Sequence, residues 1–153
     1  MPPDAFLPPE PRPRPLDGVR FYVDEDVLGL GLALAWSRQD TVVCGIEPLP
    51  DDLARGTPDP TWIPVVAARG WIAITGNARI RTHPEESRLA VEAGLRVVCI
   101  GDARGRADTW AKLTLLTRWW PSVENHIIAH PRGPWWLNVL PSGPATRAYR
   151  TSE

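Results

Sequence analysis

The sequence predicts a single α/β domain built on a mainly parallel sheet, with helices on both of its faces. Three observations carry that prediction. Short apolar runs rich in β-branched residues recur along the chain, helical patterns alternate with them, and glycine, proline or acidic residues mark nearly every boundary. Strands separated by helices are joined by crossovers, so neighbouring strands run parallel and both sheet faces are covered. A chain of 153 residues fits one domain, and 43% hydrophobic content with eight tryptophans excludes disorder throughout.

Val19 to Val23 reads as the first strand, ending at Asp24-Glu25-Asp26. Leu28, Leu30, Leu32, Leu34 and Trp36, mixed with glycine and alanine, predict a largely buried helix. Thr41 to Cys44 is the second strand, and the proline- and glycine-rich stretch from Gly45 to Thr57 is a loop. Asp59 fits the N-cap of the next helix, with Pro60 at its first position; Trp62, Val65 and Val66 follow at helical spacing and Gly70 ends it. Trp71 to Thr75 is a third strand closed by Gly76-Asn77, Pro84 to Gly94 a helix, and Leu95 to Ile100 a fourth strand. Trp110, Leu113, Leu116 and Trp120 mark one face of a helix from about Ala107 that Pro121 should end, and Trp135 to Leu140 is the last strand. The first 17 residues hold seven of the 18 prolines and read as a disordered tail. The domain is expected over residues 18–140, with a second, aperiodic tail over 141–153.

With 17 basic and 18 acidic residues, the net charge of −1 gives no global argument for a nucleic-acid partner. No apolar run is long enough for a bilayer and no leader is read at the start, so the cytoplasm is expected and a membrane is not. Cys44 and Cys99 each follow a β-branched run without CxxC spacing, which suits reduced core residues.

Ligands of parallel α/β sheets sit outside the carboxyl ends of the strands. Asp24, Glu25 and Asp26 end the first strand there, Asn77 follows the third, Asp102 follows the fourth, and Asp59 opens a crossover helix. Clustered carboxylates repel unless a cation compensates them, and hard oxygen donors suit Mg²⁺ or Mn²⁺, which can polarise a phosphodiester. Acids in such places also satisfy backbone donors, and for Asp59 a capping role is expected in either case. Arg79, Arg81 and His83 put three donors on the loop that leaves this edge, which fits either a phosphate contact or a solvated turn.

Phe21-Tyr22-Val23-Asp24-Glu25-Asp26, Arg55-Gly56-Thr57-Pro58-Asp59-Pro60 with Trp62, and Arg69-Gly70-Trp71-Ile72-Ala73-Ile74-Thr75 resemble PIN-like proteins, with the VapC-type toxin branch nearest. The resemblance extends over Ile80-Arg81 and Pro84-Glu85. It implies a PIN-like three-layer α/β/α sandwich and an Mg²⁺- or Mn²⁺-dependent ribonuclease that leaves a 5′-phosphate and a 3′-hydroxyl. By position, Asp24 and Asp59 would be metal-binding acids, with Asp26 and Glu25 as neighbours of open role. RNA and an antitoxin protein are the implied partners, and a homodimer is a further expectation. The family's third strand usually ends Thr-x-Asp, where this chain has Thr75-Gly76-Asn77. Asparagine offers a carbonyl oxygen but no charge, so Asn77 would be a weakened ligand. A catalytically degenerate domain that binds protein or RNA is therefore the alternative, and an interaction module using the tryptophans and the proline-rich segment is a third.

Other signals are set aside. His126 and His130 share a helical face but lack a third ligand and precede Pro131, so they read as surface residues at a helix end. Gly29-Leu30-Gly31 lacks the next glycine of a dinucleotide loop, since Leu34 stands there. A phosphoacceptor receiver needs an aspartate where Asn77 lies. Trp119-Trp120 and Trp135-Trp136 read mainly as core.

Overall fold

The computed structural model describes residue 16 and residues 18–43, 53–101 and 108–152; Cys44, Asp102 and most of the proline-rich segment lie outside the described residues. Six strands form one sheet in the order β2-β1-β3-β4-β5-β6: β1 (Phe21–Val23), β2 (Thr41–Val43), β3 (Ile72–Thr75), β4 (Arg96–Cys99), β5 (Trp135–Leu140) and β6 (Gly143–Arg147). The first five are parallel, and β6 returns antiparallel along β5. The helices are α1 (Leu28–Ser37), α2 (Asp59–Ala68), α3 (Arg79–Thr82), α4 (Pro84–Ala93) and α5 (Thr109–Ala129). None of the described helices is long and apolar enough to cross a membrane.

Alternation along the strands splits the core into two layers. Phe21, Val23, Ile72, Ile74, Val98, Leu137 and Val139 face one side, where Leu30 and Leu34 of α1 and Leu116, Val123 and Ile127 of α5 cover them. Tyr22, Ala73, Val97, Cys99 and Trp136 face the other, under Trp62, Ile63 and Val66 of α2, Ile80 of α3 and Ala90 of α4. Burying such aliphatic side chains contributes roughly 1.5–3 kcal/mol each, which explains why short runs of three or four residues suffice as strands. The two glycines of α1 permit its close packing. A Cβ at Gly31 would come within 2.9 Å of Val23 Cγ1, and one at Gly29 within 2.8 Å of Thr109 Oγ1 on α5.

Several features differ from the sequence reading. Asp59 is not the N-cap of α2: Pro58 holds that place in extended conformation, and Asp59 is the first helical residue. Pro121 does not end α5, which continues to Ala129. Residue 121 is exposed, so the ring faces water rather than packed side chains. Removing its ring and restoring an N–H donor in Pro121→Ala is expected to raise stability by up to about 3 kcal/mol. A urea midpoint that stays put or falls would show that the helix is already shaped around the proline. Finally, the segment after Leu140, read as a tail, returns to the sheet. Gly143 to Arg147 pair with β5 from Leu140 back to Trp136, and Tyr149 packs on the sheet. Proline and glycine break any alternation there, and an edge strand tolerates both.

Candidate active site at the switch between β1 and β3

The chain moves from β1 outward to β2, then crosses back over β1 to continue through β3, β4 and β5 in the other direction. The carboxyl ends of β1 and β3 are therefore neighbours at the point where the winding reverses, which is where a crevice opens in such sheets. Register places Val23 opposite Ile74, and the Asp24 N–H donates to the Ile74 carbonyl oxygen at 2.9 Å. Asp24 thus stands beside Thr75.

Asp24 is 6% exposed and caps the short turn Glu25–Val27 by accepting from Glu25 N–H at 2.8 Å. The fully buried Thr75 hydroxyl lies 3.0 Å from Asp24 Oδ2 and 3.3 Å from Asp26 Oδ1. One hydroxyl proton cannot satisfy two carboxylates. Burial, reinforced by the charges of Asp26 and Asp59, raises the Asp24 carboxyl to about 7. Asp26 is also raised, chiefly by desolvation, with partial relief from Gly76 N–H, Thr75 and the charge of Lys112. Gly76 permits this contact: its N–H donates to Asp26 Oδ2 at 3.0 Å, and a Cβ there would press within 3.1 Å of the same oxygen.

Asp59 reaches the rim from the first turn of α2. Trp62 Nε1 donates to its Oδ1 at 2.9 Å, and Asn77 Nδ2 donates to its Oδ2 at 3.0 Å. The Asn77 oxygen accepts from Arg79 N–H at 3.1 Å, which fixes the amide's orientation. Asn77 therefore turns a donor, not an oxygen, toward the carboxylates.

The remaining residues disperse. Glu25 turns outward to accept from Gly56 N–H at 3.0 Å, with Arg55 3.9 Å away. The stretch read as a loop after Asn77 contains α3. Arg79 and His83 lie within electrostatic reach of Glu86, whereas Arg81 donates to the Ala148 carbonyl oxygen at 3.1 Å. His126 is half-buried, stacked on His130 at 4.3 Å and edge-on to Trp135 at 4.6 Å. Cys99 is a buried free thiol, raised to about 11 mainly by burial.

Glu86 was not singled out by the sequence. Burial and the charge of Asp59 raise its carboxyl, and its Oε2 is buried without a hydrogen-bond partner among the described residues. An acid in the first turn of a helix ordinarily reads as a complement to the helix dipole, which hides such a residue. Its signal was the start of α4 one short helix after Asn77, at the same rim. Lys112, the one lysine of the chain, faces Asp26 from α5 and had no sequence signal beyond its rarity.

No curated protein and no solved structure matches the chain. The family model described as PIN like domain matches residues 19–102, more than half of the sequence, a span that includes Asp24, Asp59, Asn77 and Glu86. With the parallel sheet and the acids at its switch point, the chain belongs to the PIN-like domain family.

Proposed function

We propose that this domain is a metal-dependent endoribonuclease. The observation that carries the reading is that Asp24 and Asp26 share the Thr75 hydroxyl at the carboxyl ends of β1 and β3, with Asp59, held by Asn77, within electrostatic reach of Asp24 and of Glu86. Carboxylates that raise one another in a partly dry rim favour a cation among them. Among the described residues, no three acidic, histidine or cysteine side chains form a group that could hold a metal ion. Mg²⁺, however, commonly keeps several waters and takes only one or two carboxylates. The residues fit such a hydrated Mg²⁺ or Mn²⁺, held by Asp24 and Asp59 with Asp26 alongside.

A bound ion would supply charge neutralisation at the phosphodiester and acidify adjacent water. The chain supplies the positioning. Thr75 ties Asp24 to Asp26, Trp62 and Asn77 fix both oxygens of Asp59, and Arg79 and His83 offer donors to a flanking phosphate. A cytoplasmic toxin role with an antitoxin partner belongs to the same proposal, supported by the VapC-type resemblance of the stretches around Asp24, Asp59 and Thr75. Single-stranded RNA incubated with Mn²⁺ should be cut, and EDTA should stop the cutting. Intact RNA after prolonged incubation with Mg²⁺ and with Mn²⁺ rejects the nuclease.

Asn77 favours a second reading, a PIN-like domain that binds without cutting. Its N–H₂ group satisfies Asp59 as a neutral bridge where a further acid would add charge for a metal. Asn77→Asp is expected to tighten Mn²⁺ binding by about tenfold, ~1.4 kcal/mol, in a calorimetric titration. If RNA cleavage appears only in that variant, the natural chain is the binding form; equal affinity and cleavage in both proteins dismiss it.

A further inference from the structure

The C-terminal segment brings two arginines to α3. Arg150 N–H donates to the Arg81 carbonyl oxygen at 2.8 Å, and Arg81 Nη1 returns a bond to the Ala148 carbonyl oxygen at 3.1 Å. Between those residues Tyr149 is held against the sheet. Its hydroxyl donates to the Leu95 carbonyl oxygen at 2.9 Å, and its ring meets Trp136 edge-on with centroids 5.9 Å apart. A half-buried tyrosine that spends its hydroxyl on a strand carbonyl fixes the backbone on either side of it. Arg147 and Arg150 stand exposed on either side of this anchor, and Arg81 is half-buried beneath them.

Gathering three guanidinium groups without a carboxylate is unfavourable unless an anion visits. Among the described residues, the ion pairs are Arg38 with Asp40 and Arg55 with Glu25, so none of these three arginines has an acidic partner there. Burial, Arg150 and Arg147 all pull Arg81 below its usual value. The patch also connects to the carboxylate rim through α3, because Arg79 at its start closes on Asn77, which holds Asp59.

We propose that Arg81, Arg147 and Arg150 form a phosphate-backbone site that grips a single strand of nucleic acid along α3, the helix that follows Asn77; this rests on the ribonuclease reading. Guanidinium forks match phosphate oxygens two at a time, and their spread over α3 and the C-terminal segment suits an extended polyanion better than one free phosphate. The shared α3 favours nucleic acid over an acidic peptide.

The test uses the full chain and a fluorescein-labelled single-stranded RNA, read by anisotropy in EDTA so that no metal-dependent cutting interferes. The double variant Arg147→Ala/Arg150→Ala changes exposed side chains and should stay folded by circular dichroism. Its affinity is expected to fall about tenfold, with the salt slope reduced by about 0.7 for each phosphate no longer neutralised. Tyr149→Phe keeps every charge but frees the segment, and should give a smaller loss. Unchanged affinity and slope in the double variant overturn the site, and displacement of the RNA by polyglutamate at matched charge assigns the patch to an acidic protein instead. Arginine-dependent RNA binding in a protein that never cuts with Mn²⁺ would remove the nuclease reading and leave this site. Cutting that ignores both arginines would do the reverse.

Discussion

Asp24→Asn should abolish Mn²⁺-dependent RNA cleavage and, in the same protein without metal, increase stability. The two effects have one cause. Asp24 is nearly buried, and desolvation together with Asp26 and Asp59 lifts its carboxyl from 3.8 to about 7. The unfolded chain releases that proton in the ordinary carboxylate range, so between the two values the folded state binds more protons. Stability of the metal-free protein therefore falls as pH rises from about 4 toward 7, and the ionised group costs on the order of 4 kcal/mol above that window. Asparagine avoids the charge while its oxygen still accepts from Glu25 N–H, and it removes the anion a cation would bind. Urea denaturation in EDTA at pH 8 and at pH 4 should show a large gain for the variant at the higher pH and little at the lower. A variant less stable than wild type at pH 8 would mean that favourable interactions of the Asp24 carboxylate outweigh its desolvation, and retained cleavage would remove it from the chemistry.

Trp62→Ala should be the most damaging single substitution on the other layer, at about 3–5 kcal/mol. The side chain is 1% exposed, lies against Tyr22 with ring centroids 5.2 Å apart, and fills the space between α2 and the sheet. It also donates its indole N–H to Asp59, so core packing and site geometry share one residue. Trp62→Phe separates these roles. It keeps an aromatic ring but removes the indole N–H bond to Asp59, so urea denaturation should register a smaller loss than alanine gives. If phenylalanine weakens Mn²⁺ binding without a matching loss of stability, the indole N–H positions Asp59. If the two losses move together, it is packing alone.

The sheet was legible because its strands are buried on both faces, which turns short runs such as Ile72–Thr75 into unambiguous signals. The pairing of β1 with β3 sets Asp24 beside Thr75, and Asn77 reaches Asp59 through a hydrogen bond. What the sequence hid were interactions made across long separations. The direction of the Asn77 amide depends on Arg79 N–H, and the fourth carboxylate, Glu86, is ordinary in its own helix and unusual only beside Asp59. Pro121 misled because a proline on the solvent side of a long helix displaces no packed side chain. The last strand escaped because its pairing with β5, not its own pattern, makes Gly143–Arg147 a strand.

Asp24 and the Thr75 hydroxyl that steadies it are 51 residues apart, joined only once β1 and β3 lie side by side. That pairing closes a long loop, and loops of this kind form late because their entropy is lost before any contact rewards it. A nascent chain released before residue 72 would contain β1, α1, β2 and α2 yet lack Thr75, Gly76 and Asn77. The groups that hold Asp24, Asp26 and Asp59 in place would then be missing, so the rim takes its shape only in polypeptides that have finished assembling their middle.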